Sequence, residues 1–374
     1  MNFTVSSSTL NSRLQTLSKV LNPKNSLPIL ECFLFEVKGN TLTLTASDGE
    51  NVAKAQVLLE DTDADGSFAV RSPDMLDTLK ELPEQPIIFK VNLSSNTIDV
   101  RYQNGEYHIV GEDANVYPQT PVIEDESSVF TIDAGVLLNA VSRSIFAIAN
   151  EEIHPAMNGI CFDLTNDHLA IVSCDGHKLV RSREHDIKSE VPSSFILPRK
   201  PAGVLKTILD KGIGDVVVKF TQQAAQFNFE NGSLYCRLIE GKFPNYNAVV
   251  SQNNPNKMII DRKSMLSSIR RVLPFASESS ELVRLHIESG KLEISSEDLD
   301  FAKSAKESLY CEYDGNPMNI GFRGTGLMEV LSNLECESVQ FDLADPSRPG
   351  LMHPSEESGN EDVLMMLMPM LLSE

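Results

Sequence analysis

The sequence lacks long apolar runs and paired cysteine motifs. No stretch of about 18 consecutive apolar residues occurs, so no transmembrane helix is predicted. The six cysteines stand singly with no CxxC pair, which argues against a zinc site and against a disulfide framework. The N-terminus has neither the basic nor the apolar region of a signal peptide. We therefore expect a cytoplasmic protein with reduced thiols, no metal site and no cofactor.

The sequence also lacks the motifs of the common catalytic sites. No GxxxxGK[ST] phosphate loop, GxGxxG fingerprint, HExxH pair or GxSxG elbow is present. Cys174 and His177 are close enough in sequence for a cysteine nucleophile with a histidine base, so a cytoplasmic hydrolase is the alternative function. The Asp175 and Gly176 pair between them is explained more simply by a turn, and we expect no catalytic site.

A short strand, cap and helix pattern occurs three times. In the middle copy, strand residues 130–132 lead to Asp133, which can cap a helix with apolar residues one turn apart on one face, Leu137, Val141 and Ile145. The same pattern stands 127 residues earlier with Ser6 as the cap, and 128 residues later with Asp261. Similarity at a fixed period predicts repeated structural units.

The similarity extends beyond the start of each unit. Residues 42–49 match residues 169–176 and, more weakly, residues 292–298. Second helices are predicted to end near Leu82, Leu209 and Leu334. A unit of about 125 residues can bury its own core, unlike a solenoid repeat. We therefore predict three homologous domains, residues 1–124, 128–253 and 257–374.

Basic residues are scarce but unevenly distributed. The chain has 32 lysines and arginines against 53 aspartates and glutamates, a formal net charge of −21, which by itself argues against nucleic acid. The three repeated helices, taken as residues 7–21, 134–149 and 262–276, contain no acidic residue. They carry the basic residues Arg13, Lys19, Arg143, Arg262, Lys263, Arg270 and Arg271. Unless chance produced this bias, these helices meet a polyanion while the remaining surface repels it.

Between the helices, the sequence predicts short antiparallel strands. Residues 33–37 and 41–45 form one predicted hairpin, and residues 216–220 and 225–229 form another. Each domain then has about two helices packed on antiparallel sheets, which is an α+β fold. The acidic segment 354–362 is predicted to be a loop.

The C-terminal segment after this loop is rich in methionine. Residues 363–372 are mostly apolar and include Met365, Met366, Met368 and Met370. Such a segment suits the last core strand of the third domain. It equally suits an adaptable apolar groove for partner peptides, because methionine side chains repack easily.

Five motifs, in order along the whole chain, resemble one known family. They are residues 27–30 (Leu-Pro-Ile-Leu), 174–179 (Cys-Asp-Gly-His-Lys-Leu), 197–200 (Leu-Pro-Arg-Lys), 241–246 (Gly-Lys-Phe-Pro-Asn-Tyr) and 368–370 (Met-Pro-Met). Together they resemble the bacterial sliding clamps, the β subunits of DNA polymerase III. The threefold repeat and the acid-free helices agree with this resemblance.

The resemblance implies a fold and a function. Three DNA-clamp domains per chain would form a head-to-tail dimer, a closed ring around double-stranded DNA that is held without sequence specificity. The protein would be a polymerase processivity factor with no catalytic site. Its partners would be the DNA polymerase III alpha subunit, the clamp loader delta subunit and other proteins with clamp-binding motifs, and no membrane.

The resemblance also implies which residues carry this function. To the basic residues of the repeated helices it adds four that would face the DNA, Lys24, Arg199, Lys200 and Lys206. The dimer interface would pair Tyr107 and Ile109 of one copy with Pro274 and Phe275 of the other. The peptide groove would be formed by Met157, Cys174, Gly176, His177, Lys178, Leu179, Pro244, Val249, Met366, Met368, Pro369 and Met370.

Overall fold

A computed structural model describes residues 1–123, 127–150, 153–210, 212–250, 253–356 and 359–372. The chain divides into two compact units. Unit 1 comprises residues 1–138 and 200–238, and unit 2 comprises residues 139–199 and 239–374. The predicted domain ends at residues 124 and 374, and the middle of the predicted acidic loop, lie outside the described residues.

The helices begin where the repeat predicts. They are α1 Ser7–Leu17, α2 Ser72–Leu79, α3 Ala134–Ile145, α4 Arg199–Leu209, α5 Tyr246–Val249, α6 Arg262–Val272 and α7 Gly324–Asn333. None of the described helices is long and apolar enough to cross a membrane. Helix α2 ends at Leu79 rather than at Leu82, because the backbone there closes into turns ahead of Pro83, which cannot continue a helix.

The predicted caps of the repeated helices are confirmed. Ser6 accepts a hydrogen bond from the Thr9 backbone at 3.1 Å. Asp133 accepts from the Gly135 backbone at 2.8 Å, and Asp261 accepts from the backbone of residue 264 at 2.7 Å. Each such cap stabilises its helix by about 1 kcal/mol.

The buried faces of these helices also follow the pattern. Leu10 and Leu14 of α1 and Leu137 and Val141 of α3 have no exposed surface, whereas Ile145 at the end of α3 is half-buried. Burying one leucine contributes about 1.5 to 3 kcal/mol, so packing rather than helix propensity holds these short helices.

The strands are short and pair antiparallel. They are β1 Asn2–Ser6, β2 Cys32–Lys38, β3 Thr41–Ser47, β4 Asn51–Leu58, β5 Asp61–Thr62, β6 Gly66–Arg71, β7 Pro86–Asn92, β8 Thr97–Tyr102, β9 Gly105–Val110, β10 Ser128–Asp133, β11 Gly159–Leu164, β12 Leu169–Cys174, β13 Lys178–Glu184, β14 Ser193–Pro198, β15 Asp215–Phe220, β16 Ala224–Phe229, β17 Gly232–Arg237, β18 Asn256–Asp261, β19 Leu282–Glu288, β20 Lys291–Asp298, β21 Lys303–Leu309, β22 Glu312–Tyr313, β23 Met318–Arg323, β24 Ser338–Leu343, β25 Gly350–Pro354 and β26 Glu361–Leu367. Both predicted hairpins are confirmed, as β2 with β3 and as β15 with β16.

Within the described ranges, each unit contains two sheets. Unit 1 has a five-stranded sheet in the order β5-β1-β7-β8-β9 and an eight-stranded sheet in the order β10-β15-β16-β17-β4-β3-β2-β6. Unit 2 has a nine-stranded sheet in the order β14-β11-β12-β13-β26-β25-β24-β18-β22 and a four-stranded sheet in the order β21-β20-β19-β23.

The largest sheet of each unit joins strands from two predicted domains. In unit 1, β17 pairs with β4, with Gly232 opposite Ala55. In unit 2, β26 pairs with β13, with Leu367 opposite Lys178. The compact units are therefore not the repeated domains, since each unit combines one outer domain with half of the central one.

Candidate functional site

The turn after β12 has a counterpart in each repeat. The Asp175 carboxylate accepts hydrogen bonds from the backbone of His177 at 2.9 Å and of Lys178 at 2.8 Å. Asp48 and Asp298 accept from the backbone two residues further on in the same way. A shared Asp turn therefore accounts for the residues common to the three copies.

The turn in the central copy is open on its outer side. Gly176 has a φ of +86°, and a Cβ added there would meet no atom within 4 Å. The C-terminal segment runs beside it, because the Met368 backbone donates to the His177 carbonyl at 2.8 Å. Two residues on, the Met370 backbone donates to the Gly321 carbonyl at 2.8 Å. The structure thus fixes the segment 368–370 next to a turn that leaves room for another backbone.

An apolar cluster lies beneath this turn. Its buried members are Ala149, Met157, Cys161, Ala170, Val172, Cys174, Leu179, Ile196, Phe243, Tyr246, Leu351, Leu364 and Met366. Of the residues implied by the resemblance, the cluster unites Met157, Cys174, Leu179 and Met366. We call this cluster the groove floor.

The remaining implied groove residues are more exposed. Gly176, His177 and Pro244 are exposed, Val249 is 50% exposed and Met368 is 38% exposed. Pro369 and Met370 are half-buried. These residues lie outside the groove floor, and exposed apolar side chains beside a buried apolar cluster suit the docking of a short peptide.

Sequence reasoning missed several members of the groove floor. Tyr246 is 6% exposed, and its hydroxyl donates to Asp163 at 2.8 Å. Phe243 and Leu364 are also buried there. Alternation along β26 is the signal that could have found Leu364, because Leu364 and Met366 share one face of that strand.

The corresponding apolar cluster of the first repeat is smaller, and its buried members are Leu30, Cys32, Ala69 and Tyr117. The positions of Ala170, Val172 and Cys174 are filled in the first copy by residues 43, 45 and 47, which are Thr, Thr and Ser. Their hydroxyl groups make that surface more polar. The groove floor of the central repeat is therefore more apolar than its counterpart in the first repeat.

Lys178 is held by carboxylates rather than projecting freely. Its Nζ lies 2.8 Å from Glu329 and 3.2 Å from Asp175, and it lies 5.7 Å from the ring centroid of Phe146. Burial opposes the charged form, but the hydrogen bonds and charges of Glu329 and Asp175 together outweigh it, and the pKa of Lys178 is raised. Its charge is thus neutralised within the chain, which leaves the groove mainly apolar.

The geometry does not support a cysteine nucleophile. Cys174 is 9% exposed, and burial, together with Asp175, raises the pKa of its thiol to about 11. The thiol therefore stays protonated near neutral pH, and a thiol is a poor nucleophile. No cluster of three or more His, Cys, Asp or Glu side chains that could hold a metal occurs among the residues placed in the structure.

The basic residues on or near the helices fall into two groups. Five are exposed and have no ion pair within the described ranges, namely Lys19, Lys24, Lys206, Lys263 and Arg270. We call these the open cations. Arg13 is half-buried, also without an ion pair there. The second group is engaged within the chain.

Arg143 corrects the sequence expectation most clearly. It is 7% exposed, its guanidinium donates to Glu361, and it lies 3.8 Å from Glu335. A buried arginine that already has a carboxylate partner is not available to a phosphate. Arg271 is exposed but forms two 2.6 Å hydrogen bonds with Glu307, which lower the pKa of that carboxyl to about 2.

Two other arginines bond to carbonyls near helix ends. Arg199 donates to the carbonyl of Ile148 at 2.6 Å, just beyond α3. Arg262 donates to the carbonyl of Leu331 at 2.9 Å, in the last turn of α7. Cations are favourable there because the helix dipole is negative at its C-terminus. Lys200 lies 2.6 Å from the Asp48 carboxylate, so it too is engaged.

The residues implied at the dimer interface differ in exposure. Phe275 is 40% exposed and Pro274 is exposed. Burial raises the pKa of the Tyr107 hydroxyl to about 12, and that oxygen has no hydrogen-bond partner among the described atoms. Ile109 is only 9% exposed because it points into the unit 1 core. Its side chain is therefore a core residue and not an exposed contact.

The fold contains three copies of a strand, cap and helix unit, and the described residues include an apolar cluster beside an open turn, an arrangement that suits tethering of a partner. Three family models match the chain, the N-terminal, central and C-terminal domains of the DNA polymerase III beta subunit, at residues 1–121, 131–245 and 247–370.

Individual proteins that are similar to this chain are sliding clamps as well. The beta sliding clamp of Pseudomonas aeruginosa is 28% identical over 100% of both chains, and that of Bacillus subtilis is 23% identical over 99% of both. A crystal structure of the Pseudomonas aeruginosa sliding clamp bound to griselimycin has a TM-score of 0.93, 26% identity and complete coverage of both chains. The Thermotoga maritima beta subunit has a TM-score of 0.89 and 25% identity, again with complete coverage.

The chain belongs to the DNA polymerase III beta-subunit family, the sliding clamps. It is a processivity factor and a non-catalytic accessory subunit, and its three α+β domains have the clamp fold. The hydrolase alternative is therefore wrong, and the buried, protonated thiol of Cys174 gives the physical reason.

Proposed function

We propose that two copies of the chain close head to tail into a ring, with β9 of one copy pairing with β21 of the other. One observation carries this proposal. In both units, the last strand of one domain pairs with a strand of the preceding domain, β17 with β4 and β26 with β13. Their repeat counterparts, β9 and β21, each lie at the edge of a sheet. Unpaired edges are templates for pairing with another chain.

The repeat also predicts the register of this seam. The matching segments of the three repeats begin at residues 42, 169 and 292, and the fourth residue of each pairs in a hairpin with a basic residue on the next strand. These basic residues are Lys54, Arg181 and Lys306, which therefore occupy equivalent positions in the three repeats. Across the internal junction, Lys54 lies opposite Ser233. The counterpart of Ser233 is Glu106, so we expect Glu106 opposite the other copy's Lys306. Opposite charges at this pair favour the register.

We further propose that the open cations, with Arg13, contact DNA phosphates. They lie on or beside the acid-free helices of a strongly acidic chain. Phosphate contacts carry no base information, so the ring would hold duplex DNA without sequence specificity, and binding would weaken with salt. Arg143 is omitted because its charge is buried against Glu361.

The groove is the proposed docking site for partner peptides that end in leucine or phenylalanine. Its apolar floor, the open turn at Gly176 and the nearby methionines support this assignment. The proposed partners are the polymerase alpha subunit, the clamp loader delta subunit and other proteins with clamp-binding motifs, in the cytoplasm. The proposed domain spans remain 1–124, 128–253 and 257–374.

A disulfide test addresses the ring directly. Opposed residues on antiparallel strands lie about 4.5 to 5.5 Å apart at Cα, which suits a disulfide. The double variant Glu106→Cys with Lys306→Cys should oxidise to a covalent dimer that retains circular DNA at high salt. The matched control, Glu106→Cys with Lys303→Cys, moves one thiol about 10 Å along the strand and should not cross-link. Cross-linking of the control alone would overturn the register.

A further inference from the structure

The Asp turn of the third repeat is longer than the turns of the other two. In the first and second repeats, two residues lie between the Asp turn residue and the next paired residue, at 49–50 and at 176–177. In the third repeat, Asp298 pairs with Lys303, and the turn comprises residues 299–302. The third repeat therefore carries two additional residues at this point. We call residues 299–302 the apolar turn.

Two large apolar side chains of this turn are exposed. Leu299 is 84% exposed and Phe301 is 76% exposed. The Lys303 ammonium lies 5.5 Å from the centroid of the Phe301 ring and 3.6 Å from the Asp298 carboxylate. These contacts favour one position of the ring beside the start of β21. Exposed apolar side chains that are grouped in this way are typical of a contact surface.

In the other two repeats, the equivalent turn is contacted by the segment that ends or follows a junction strand. Arg237, at the end of β17, donates its backbone N–H to the Glu50 carbonyl at 3.1 Å. Met368, just after β26, donates to the His177 carbonyl at 2.8 Å. Both acceptors are the last residue of their turn. A turn of this kind is thus a regular contact of the strand that joins from a neighbouring domain.

Val110 is the first-domain counterpart of Met368. In every domain, the residue two places further on donates its backbone N–H to a carbonyl of the same domain. These three bonds run from Glu112 to Ala69, from Ile239 to Ile196 and from Met370 to Gly321. In the proposed register of the seam, Val110 lies opposite Ala302, which is the last residue of the apolar turn.

We propose, on the basis of the proposed ring, that the apolar turn packs on Val110 and the segment after it in the other copy. The Val110 N–H would donate to the other copy's Ala302 carbonyl, as Met368 donates to His177 within the chain. The side chain of Val110 is exposed, so ring closure removes it from water together with Leu299 and Phe301. Because each ring has two seams, this contact occurs twice and slows ring opening.

Dissociation of the full-length protein tests this contact. Phe301→Ser should raise the dimer dissociation constant about thirtyfold in sedimentation experiments, since the substitution acts at both seams. Subunit exchange between isotope-labelled and unlabelled rings should accelerate by a similar factor. Leu58→Ser is the matched control and should change neither quantity, because Leu58 is 81% exposed at the end of β4, which has no part in the seam.

A double-mutant cycle tests the pairing of the two side chains. Val110→Ser combined with Phe301→Ser should raise the dissociation constant by less than the product of the two single effects, since both substitutions remove one contact. Leu58→Ser combined with Phe301→Ser should give the full product. If Val110→Ser and Phe301→Ser also multiplied, their contact would be refuted.

A shortened turn removes the contact without a new side chain at the seam. Replacement of residues 299–302 by Gly-Glu, the sequence of residues 49–50, should keep the unfolding temperature and weaken the dimer at least as much as Phe301→Ser. If both variants dissociated like the wild type while Glu106→Cys still cross-linked to Lys306→Cys, the contact would be overturned and the ring would stand. A wild type that neither dimerised nor allowed this cross-link would overturn the ring and the contact together.

Discussion

Glu184→Gln should remove a pH-dependent loss of folding stability where β13 pairs with β26. Glu184 is 6% exposed and lies directly opposite Glu361 in the strand register. Burial, and then the nearby Glu361 charge, raise the pKa of Glu184 from 4.5 to about 8. The folded protein therefore holds a proton on this carboxyl that the unfolded chain releases near neutral pH.

The sign and size of the effect follow from this pKa. The folded pKa is raised, so the stability that this group contributes is present below pH 4.5 and is lost as the pH rises towards about 8. Between pH 5 and pH 7.5, the loss from a shift of this size is at most about 3 kcal/mol. Glutamine keeps the size and the hydrogen-bonding capacity of the neutral carboxyl, so the variant should not show this loss.

Amide hydrogen exchange of peptides from β13 and β26 measures this difference. At pH 5, wild type and Glu184→Gln should exchange at similar rates, and at pH 7.5 the wild type should exchange faster, by up to roughly a hundredfold. Glu190→Gln removes an exposed carboxylate of unit 2 and should match the wild type at both pH values. If the ratio of the wild-type exchange rate to the Glu184→Gln exchange rate were the same at pH 5 and pH 7.5, the reasoning would be refuted.

Four further outcomes follow from the site. Truncation from Met368 should leave a folded dimer without measurable peptide binding by calorimetry, whereas removal of residues 373–374 should not change affinity. Phe275→Ala should raise the dimer dissociation constant at least about thirtyfold in sedimentation experiments, the effect of losing one interface hot spot, and an unchanged constant would place the seam elsewhere. Arg143→Met should leave the salt dependence of DNA binding unchanged but destabilise the fold by about 3 to 5 kcal/mol, since it breaks the largely buried ion pair with Glu361. The salt dependence should fall by about one unit of slope for each open cation changed to glutamate, and an unchanged slope would contradict their contact with phosphates; these are Lys19, Lys24, Lys206, Lys263 and Arg270.

The sequence predicts local features of this fold better than long-range pairings. Helix caps at Ser6, Asp133 and Asp261 could be predicted because a cap depends on residues within one turn. The burial of Arg143 could not be predicted, since its partner Glu361 is 218 residues away and the charge pattern of a helix gives no information about so distant a partner. For the same reason, no local signal indicated that β17 would join β4.

The candidate site shows the same division. The Asp turns and the apolar character of residues 363–372 were readable from spacing and composition. Whether a given methionine faces a core or a groove depends on the strand that lies opposite. Met365 belongs to the main core cluster of unit 2 and Met366 to the groove floor, and only the register of β26 against β13 separates them.

The sheets that run across domain borders place a constraint on how this protein can change during evolution. Inserting one residue into β17 would invert the facing of later side chains against β4, which belongs to another repeat. The three domains therefore cannot vary in strand length independently, although they arose as copies. Differences in length must collect in connections, and the acidic segment between β25 and β26 is such a place. The strands that pair across domain borders should thus vary least in length, and the turns should vary most.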